Sequence, residues 1–349
     1  MKRISNSWTS LLPLATILIM IAASCSLFDD QDTGENGVNP DGIYVLCEGN
    51  FGGGNASLWH LDKSYTEMTP NIIEHLTGDP LGDTGQSLAV AGERLYVVVN
   101  VSSQIQVLDL SGDAVSYVST IDLTGAGPRE MAIGNNQGYV TCWNIPGILT
   151  IDLNSLAVTD TLELAAIPED IIYHDGALYV GLIMSADYSP DSTIIRIDPV
   201  KQSVTATYEV GPGPQHLLAA DSVIYISRQW YDAGYNSYQG LAALNPVSGT
   251  VSTMEWGAGN GVDLFVVDEQ LYLTTNSGIV PVATDLNPIT DGSIGTEIEH
   301  IYSAGTDGIN VLVGTADFNG PGQVIVLSTS GETLTVYTVG VGPGDFLTY

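Results

Sequence analysis

Basic residues are scarce in this sequence, which holds 8 Lys and Arg against 40 Asp and Glu in 349 residues, a formal net charge of −32. A surface this acidic repels phosphate backbones, so we predict that nucleic acid is not a partner. The charge suits solubility in salt or binding of a cationic ligand. Adaptation of an extracellular surface to salt explains it without any ligand.

Motifs for catalysis and metal binding are also missing. The five histidines show neither HxxxH nor HxH spacing, and no GxSxG, Walker loop or CxxC occurs. We therefore predict a binding protein with no catalytic residue, no metal and no cofactor. No long helical pattern follows residue 25, which favours an all-β fold for the remainder.

What the sequence does contain is a repeat. Residues 167–210 hold four short apolar runs separated by turn residues, and the second run has an aliphatic-Tyr-aliphatic core typical of a strand. This second strand recurs seven times, at spacings of 52, 43, 40, 46, 47 and 38 residues, which are typical of propeller blades. The copies are IYVLC (43–47), LYVVV (95–99), GYVTC (138–142), LYVGL (178–182), IYISR (224–228), LYLTT (271–275) and, without the Tyr, INVLV (309–313).

The two ends of the repeat array complement each other. The first copy lacks an innermost strand, while residues 342–349 form a spare segment with the same Gly-Pro start and acidic residue that open the third copy at 127–130. We therefore predict an all-β, seven-bladed β-propeller of four-stranded blades over residues 42–349. The ring is closed by pairing the N- and C-terminal strands, which removes exposed sheet edges.

The N-terminus has the features of a targeting segment. Lys2 and Arg3 precede an apolar run at 11–23 that is too short to span a membrane, and small residues precede Cys25. Residues 1–24 resemble a bacterial lipoprotein signal peptide, which implies that Cys25 carries the lipid, although Ala22 stands where that family usually has Leu. An ordinary cleaved secretory signal is the alternative.

Residues 25–41 are polar and acidic and are predicted to be a flexible tether. Asp29 and Asp30 resemble the acidic signal that sends Bacteroidetes lipoproteins to the outer face of the outer membrane, and a plain solvated linker is the alternative. Without Lys2 and Arg3 the net charge becomes −34. Cys47 and Cys142 fall in blades that are not neighbours, so we predict two small buried residues rather than a disulfide.

In a propeller, the loops from second to third strands and the loops that lead into each innermost strand share one face. In this sequence these loops are long and aromatic, whereas the opposite turns are short, so we predict one binding face. Its aromatic rings suit a partly planar ligand or a protein, while Arg129 and Arg228 are predicted to engage polar ligand groups. The predicted contact residues are Phe51, Arg129, Trp143, Asn144, Tyr188, Arg228, Trp230, Tyr231, Tyr235 and Tyr238. For each single aromatic residue, packing within its loop is the alternative.

Five titratable residues occupy comparable places where innermost strands begin. We predict that together they line the axial channel, as solvated residues rather than as metal ligands or general bases. They are Glu130, Asp170, His216, Asp263 and Asp345.

The motif GYVTCWN (138–144), with the Gly-Pro pairs at 127–128 and 213–214, resembles YVTN-type seven-bladed propellers across residues 42–349. CEGNFGGGNAS (47–57) and PLGDTGQS (80–87) are similar to the Bacteroidetes surface-lipoprotein branch, some members of which capture vitamin B12 and pass it to a TonB-dependent transporter. The resemblance implies a surface lipoprotein that binds cobalamin or a related corrinoid. The alternatives are a protein-interaction scaffold and, third, a propeller lyase.

Overall fold

Strand pairing in the computed structural model divides the chain into seven antiparallel sheets. The structure describes residues 37–259, 261–275 and 278–349. The predicted signal peptide, Cys25 and the tether up to residue 36 lie outside the described residues. The described part of the chain contains no helix that is long and apolar enough to cross a membrane.

The sheets are numbered blade 1 to blade 7 in chain order. Blade 1 comprises β1 (Gly42–Cys47), β2 (Ser57–Asp62), β3 (Met68–Thr69) and the last strand of the chain, β27 (Pro343–Thr348); α1 (Ile72–Thr77) follows β3. Blade 2 comprises β4 (Gly85–Ala91), β5 (Arg94–Val99), β6 (Gln104–Asp109) and β7 (Ser116–Asp122). Blade 3 comprises β8 (Pro128–Gly134), β9 (Gln137–Cys142), β10 (Gly147–Asp152) and β11 (Ala157–Glu163). Blade 4 comprises β12 (Ala166–His174), β13 (Ala177–Ser185), β14 (Pro190–Asp198) and β15 (Ser203–Glu209).

The remaining blades follow in the same order. Blade 5 comprises β16 (Pro214–Ala220), β17 (Val223–Tyr231), β18 (Ser237–Leu244) and β19 (Val251–Ala258). Blade 6 comprises β20 (Leu264–Val267), β21 (Gln270–Thr275) and β22 (Gly278–Pro281), followed by a 3-10 turn at Thr290–Gly292. Blade 7 comprises β23 (Ile301–Thr306), β24 (Val311–Thr315), β25 (Gln323–Leu327) and β26 (Thr333–Thr338).

The innermost strands contact one another in ring order, from β4 through β8, β12, β16, β20 and β23 to β27, which returns to β4. The ring closes where β27 pairs with β1, with Tyr44 opposite Leu347. Gly42 and Tyr349 exchange backbone hydrogen bonds of 3.3 and 2.9 Å at the end of this pair. The predicted seven-bladed fold and its closure are confirmed.

Blade 6 differs from the others within the described residues. Its outer strand is reduced to one antiparallel bridge between Ile279 and Ile294, while the other six sheets have four strands each. Its third strand, Gly278–Pro281, has only 4 residues.

The hydrophobic core lies between neighbouring blades. The repeated tyrosines Tyr44, Tyr96 and Tyr179 are almost completely buried, and Tyr179 packs with Ile224 and Ile226 of blade 5. Full burial of a large apolar side chain stabilises a fold by roughly 1.5–3 kcal/mol, so each blade depends on its neighbours. Cys47 and Cys142 are buried free thiols, as predicted.

The described chain begins on the face that carries the short turns. The carbonyl oxygen of Val38 accepts a 2.8 Å bond from the backbone N–H of Val115, which follows the third strand of blade 2. The carbonyl oxygen of Pro40 accepts a 3.0 Å bond from the hydroxyl of Tyr44. The opposite face, with the loops between second and third strands, is called the long-loop face below.

Candidate ligand site at the mouth of the axial channel

A cavity of about 820 Å³ lies where the innermost strands converge. Its walls contain the five residues predicted to line the channel, so their predicted position is confirmed. Its mouth lies on the long-loop face. There the cavity residues Glu48 and Gln229, at the ends of second strands, bond to the loops that lead into innermost strands: Glu48 N–H donates to Gly342 O and Gln229 N–H donates to Gly213 O, both at 2.8 Å. Six carboxyl groups line the cavity, against one arginine and one histidine: Glu48, Glu130, Glu169, Asp170, Asp263, Asp345, Arg129 and His216.

Three of the channel carboxylates are fixed by backbone N–H groups of the next blade. Asp345 accepts bonds of 2.7 Å from Phe346 in its own strand and from Leu88 in blade 2. Asp170 accepts 2.6 Å bonds from Ile171 and Leu217, and Asp263 accepts a 2.9 Å bond from Ala304. These bonds join adjacent blades and keep the carboxylates beside the channel.

His216 lies between two of these carboxylates. Its Nδ1 is 3.9 Å from Asp170 Oδ2, and its Nε2 is 3.8 Å from Asp263 Oδ1. Burial lowers the pKa of His216, but the charges of Asp263 and Asp170 more than offset this, so its pKa is raised. The channel therefore favours the protonated imidazole.

Burial also raises the pKa of the channel acids. It raises the pKa of Asp345 to about 7. It raises the pKa of Glu130 well above its usual value, with the charge of Asp170 as a further cause. Burial likewise raises the pKa of Asp170 and of Asp263, although His216 partly opposes it. Burial, with repulsion between the acids as a smaller cause, thus raises their pKa values and favours the protonated form of Asp345 up to about neutral pH.

Arg129, which lines the channel, contacts Trp143, and both were predicted as contact residues. The Arg129 guanidinium lies 4.1 Å from the centre of the Trp143 ring. Both side chains also bind Glu169, since Arg129 forms an ion pair with it and Trp143 Nε1 donates to it at 2.8 Å. A second guanidinium nitrogen of Arg129 donates to Gln86. Arg129 is therefore engaged within the protein.

Arg228 does not reach the surface of the long-loop face, and this corrects its assignment as a contact residue. Its side chain is fully buried, donates to Met254 O at 3.0 Å and lies 3.5 Å from the Glu255 carboxylate. It lies on the same side of β17 as Ile224 and Ile226, which pack against blade 4. The cation is part of the contact between blades.

The hairpins of blades 4 and 5 extend further than their counterparts. Strands β13, β14 and β17 have 9 residues each, whereas β5 and β9 have 6. In blade 5, Trp230 and Tyr238 stack with ring centres 5.8 Å apart, on the side of the hairpin that faces blade 4. Tyr231, Tyr235 and Tyr188 are exposed beside them or at the tips.

The other two predicted contact residues lie apart from this cluster. Phe51 is 86% exposed on the loop of blade 1, three blades from both hairpins. Asn144 follows Trp143 and donates its backbone N–H to Ala126 O at 3.0 Å. The structure therefore brings together the aromatic residues of blade 5 and, separately, Arg129 with Trp143.

Several channel residues were missed by the sequence reasoning. The hydroxyl of Tyr302 donates to Glu48 at 2.6 Å, and its ring contacts Phe318 with centres 5.0 Å apart. Most of the missed residues could have been found from their place in the repeat. They stand directly before a predicted channel residue or before its counterpart in another blade. The set is Glu48, Gln86, Glu169, Gln215, Gln229 and Tyr302. Across the described ranges, no three His, Cys, Asp or Glu side chains are grouped to hold a metal ion.

These features define the class: a seven-bladed β-propeller with a polar, acidic axial channel that opens on a face with long loops. The model of the family described as a domain of unknown function, DUF5074, matches residues 41–260, and the chain belongs to that family. No protein with a curated description matches the sequence.

Solved structures with low sequence identity share the fold. Hydrazine synthase of Kuenenia stuttgartiensis is 15% identical with a TM-score of 0.62, over 84% of this chain and 95% of that one. A putative 6-phosphogluconolactonase from Bacteroides fragilis is 14% identical with a TM-score of 0.62, over 88% and 98%. Dihydro-heme d1 dehydrogenase NirN in complex with DHE is 13% identical with a TM-score of 0.52, over 89% and 76%.

Proposed function

We propose that the protein binds a small molecule noncovalently at the channel mouth, and that cobalamin or a related corrinoid is the leading candidate. It acts as an outer-membrane lipoprotein anchored through Cys25, exposed at the cell surface, and hands its ligand to a TonB-dependent transporter. The observation that carries the proposal is the cavity of about 820 Å³, which opens on the long-loop face. Cavities of this size are typical of small-molecule sites.

The chemistry of the mouth supports a large ligand with many amide groups. Beyond the cavity wall on the same face, Trp143 beside Arg129 and the stacked pair Trp230 and Tyr238 of the blade 5 hairpin offer flat apolar surfaces. The carboxyl groups of Glu48 and Glu169 at the mouth accept hydrogen bonds, and a corrinoid carries several amide N–H donors around a broad macrocycle. NirN, a protein of similar fold, is named for a haem-type macrocycle.

Binding rather than catalysis is proposed because the channel groups are committed to the fold. Asp170 and Asp263 hold backbone N–H groups of neighbouring blades, and both lie beyond hydrogen-bond distance of His216. A general base must have its accepting atom within hydrogen-bond reach of the proton that it removes, directly or through one water.

Equilibrium binding of cyanocobalamin to residues 26–349 tests the proposal. We expect binding at micromolar ligand or tighter, weakened by Trp230→Ala at least about tenfold, as for a buried aromatic contact. Tyr117→Ala, which changes an exposed tyrosine on an outer strand, is the control and leaves the affinity unchanged. Absence of binding at micromolar ligand removes the corrinoid and leaves a protein-interaction scaffold, the second candidate, which the exposed loop tips favour.

A further inference from the structure

The loops of the long-loop face expose apolar side chains at their tips. Phe51, Tyr188 and Tyr235 are 86%, 74% and 88% exposed. Val101, Ile145 and Phe318 are exposed to a lesser degree. These six residues belong to six different blades, in the loops between second and third strands, and none of these loops contains Lys or Arg. Aromatic residues are enriched in protein interfaces, and lysine is depleted from them.

Three of these tips hold an aromatic residue where the backbone favours a smaller one. Tyr188, Tyr235 and Phe318 have φ values of +64°, +61° and +58°, in the left-handed region that Gly and Asn adopt most readily. Phe318 packs against Tyr302, whereas the rings of Tyr188 and Tyr235 are mostly exposed and gain little from packing within the fold. These two rings are therefore available for contact with a partner outside the chain.

The centre of the same face is acidic, and its two basic groups, Arg129 and His216, already lie beside carboxylates of the protein. All six basic side chains of the described chain have partners within the protein: Lys63 with Asp41, Arg94 with Leu153 O, Arg129 with Glu169, Arg196 with Tyr179, Lys201 with Asp198, and Arg228 with Met254 O. The channel acids Asp170, Asp263 and Asp345 are held beside the cavity by backbone bonds. An entering cation would relieve the repulsion among them.

We propose that the long-loop face docks a second protein, which places a basic loop in the channel mouth and an apolar collar against the loop tips. The positive loop complements the acidic centre, and the collar covers Phe51, Tyr188 and Tyr235. Complementary potentials of this kind speed association and fix the register of the partners. The inference rests on the second candidate function, the protein-interaction scaffold, and deepens it by naming the chemistry of the partner; it needs no small-molecule ligand.

Selection of disulfide-constrained peptides from a displayed library, with the lipid-free protein as target, tests this docking surface. We expect the enriched peptides to contain Lys or Arg flanked by apolar residues, and their binding to weaken as salt is raised. The double variant Tyr188→Ser with Tyr235→Ser is expected to bind such a peptide at least about tenfold more weakly. Glu48→Gln, which keeps an oxygen acceptor for Tyr302 but removes a charge at the mouth, is expected to weaken it as well.

The matched control lies on the opposite face. Val200 and Val247 are 84% and 88% exposed at turns of blades 4 and 5, and the double variant Val200→Ser with Val247→Ser is expected to leave peptide binding unchanged. Enrichment of peptides without basic residues, or equal losses in both double variants, overturns the proposal. Displacement of the peptide by arginine amide at similar concentration also overturns it, because a small cation then suffices. Cyanocobalamin binding is measured separately, so each proposal can fail alone.

Discussion

Glu169 holds Arg129 against the indole ring of Trp143. The carboxylate pairs with the guanidinium and accepts a 2.8 Å bond from Trp143 Nε1, while the guanidinium lies 4.1 Å from the ring centre. One acidic side chain therefore fixes both the only arginine and the only tryptophan on the described wall and rim of blade 3. Arg129 and Glu169 come from neighbouring blades, so the contact also joins blades 3 and 4.

Glu169→Gln is expected to destabilise the propeller by about 3 kcal/mol, because the partly buried guanidinium of Arg129 loses the carboxylate with which it pairs. Urea unfolding followed by tryptophan fluorescence measures the loss. Lys201→Ala removes the exposed pair with Asp198 and serves as the control, with an expected loss below about 1 kcal/mol. Equal losses in the two variants would show that the Glu169 contact is no stronger than a surface pair.

Stability is expected to decrease as pH rises from 5 to 8. Asp345 has a folded pKa of about 7, above its usual value, so the folded state binds more protons than the unfolded state in this window. The raised pKa of His216 acts in the same direction, since its contribution is lost as pH rises through the folded pKa. Thermal unfolding followed by circular dichroism is expected to give a higher Tm at pH 5 than at pH 8.

The variant Asp345→Asn identifies the group responsible for this pH dependence. Asn keeps an oxygen that accepts from Leu88 but cannot ionise, so the difference in Tm between pH 5 and pH 8 is expected to shrink. Asp221→Asn, at an exposed turn, is the control and keeps the full difference. An unchanged pH dependence in Asp345→Asn would assign the effect to other groups.

Arg228→Met is expected to leave ligand binding unchanged and to alter the free energy of unfolding by less than about 1.5 kcal/mol. The side chain is fully buried, two of its nitrogens lack hydrogen-bond partners, and Glu255 remains largely solvated. Replacing a buried charge by an apolar side chain of similar volume is often neutral or stabilising. Cyanocobalamin affinity together with urea unfolding tests this, and a large loss of affinity with intact stability would restore Arg228 as a contact residue.

The repeat made the fold predictable because the second strand keeps its Tyr in six of the seven copies, and Tyr44, Tyr96 and Tyr179 are buried between blades as that pattern requires. The channel residues were predictable for the same reason. Glu130 and Asp345 occupy corresponding positions in repeated units, and repetition around a ring places such positions on the axis.

The site was harder to predict, because loops do not repeat. Rarity of basic residues suggested that Arg228 contacts a ligand, yet its spacing from Ile224 and Ile226 already places it on the buried side of the strand. Glu169 was missed because its role depends on Arg129 and Trp143, which belong to a different blade. Aromatic content alone could not show that Phe51 lies three blades away from the aromatic residues of the blade 5 hairpin.

The start of the described chain lies on the short-turn face, where Val38 bonds to Val115, and Gly42 and Tyr349 pair at the same face. The strand pair that closes the ring therefore ends on the side opposite the channel mouth. A label attached at Gly42 or Tyr349 would leave the mouth open to solvent.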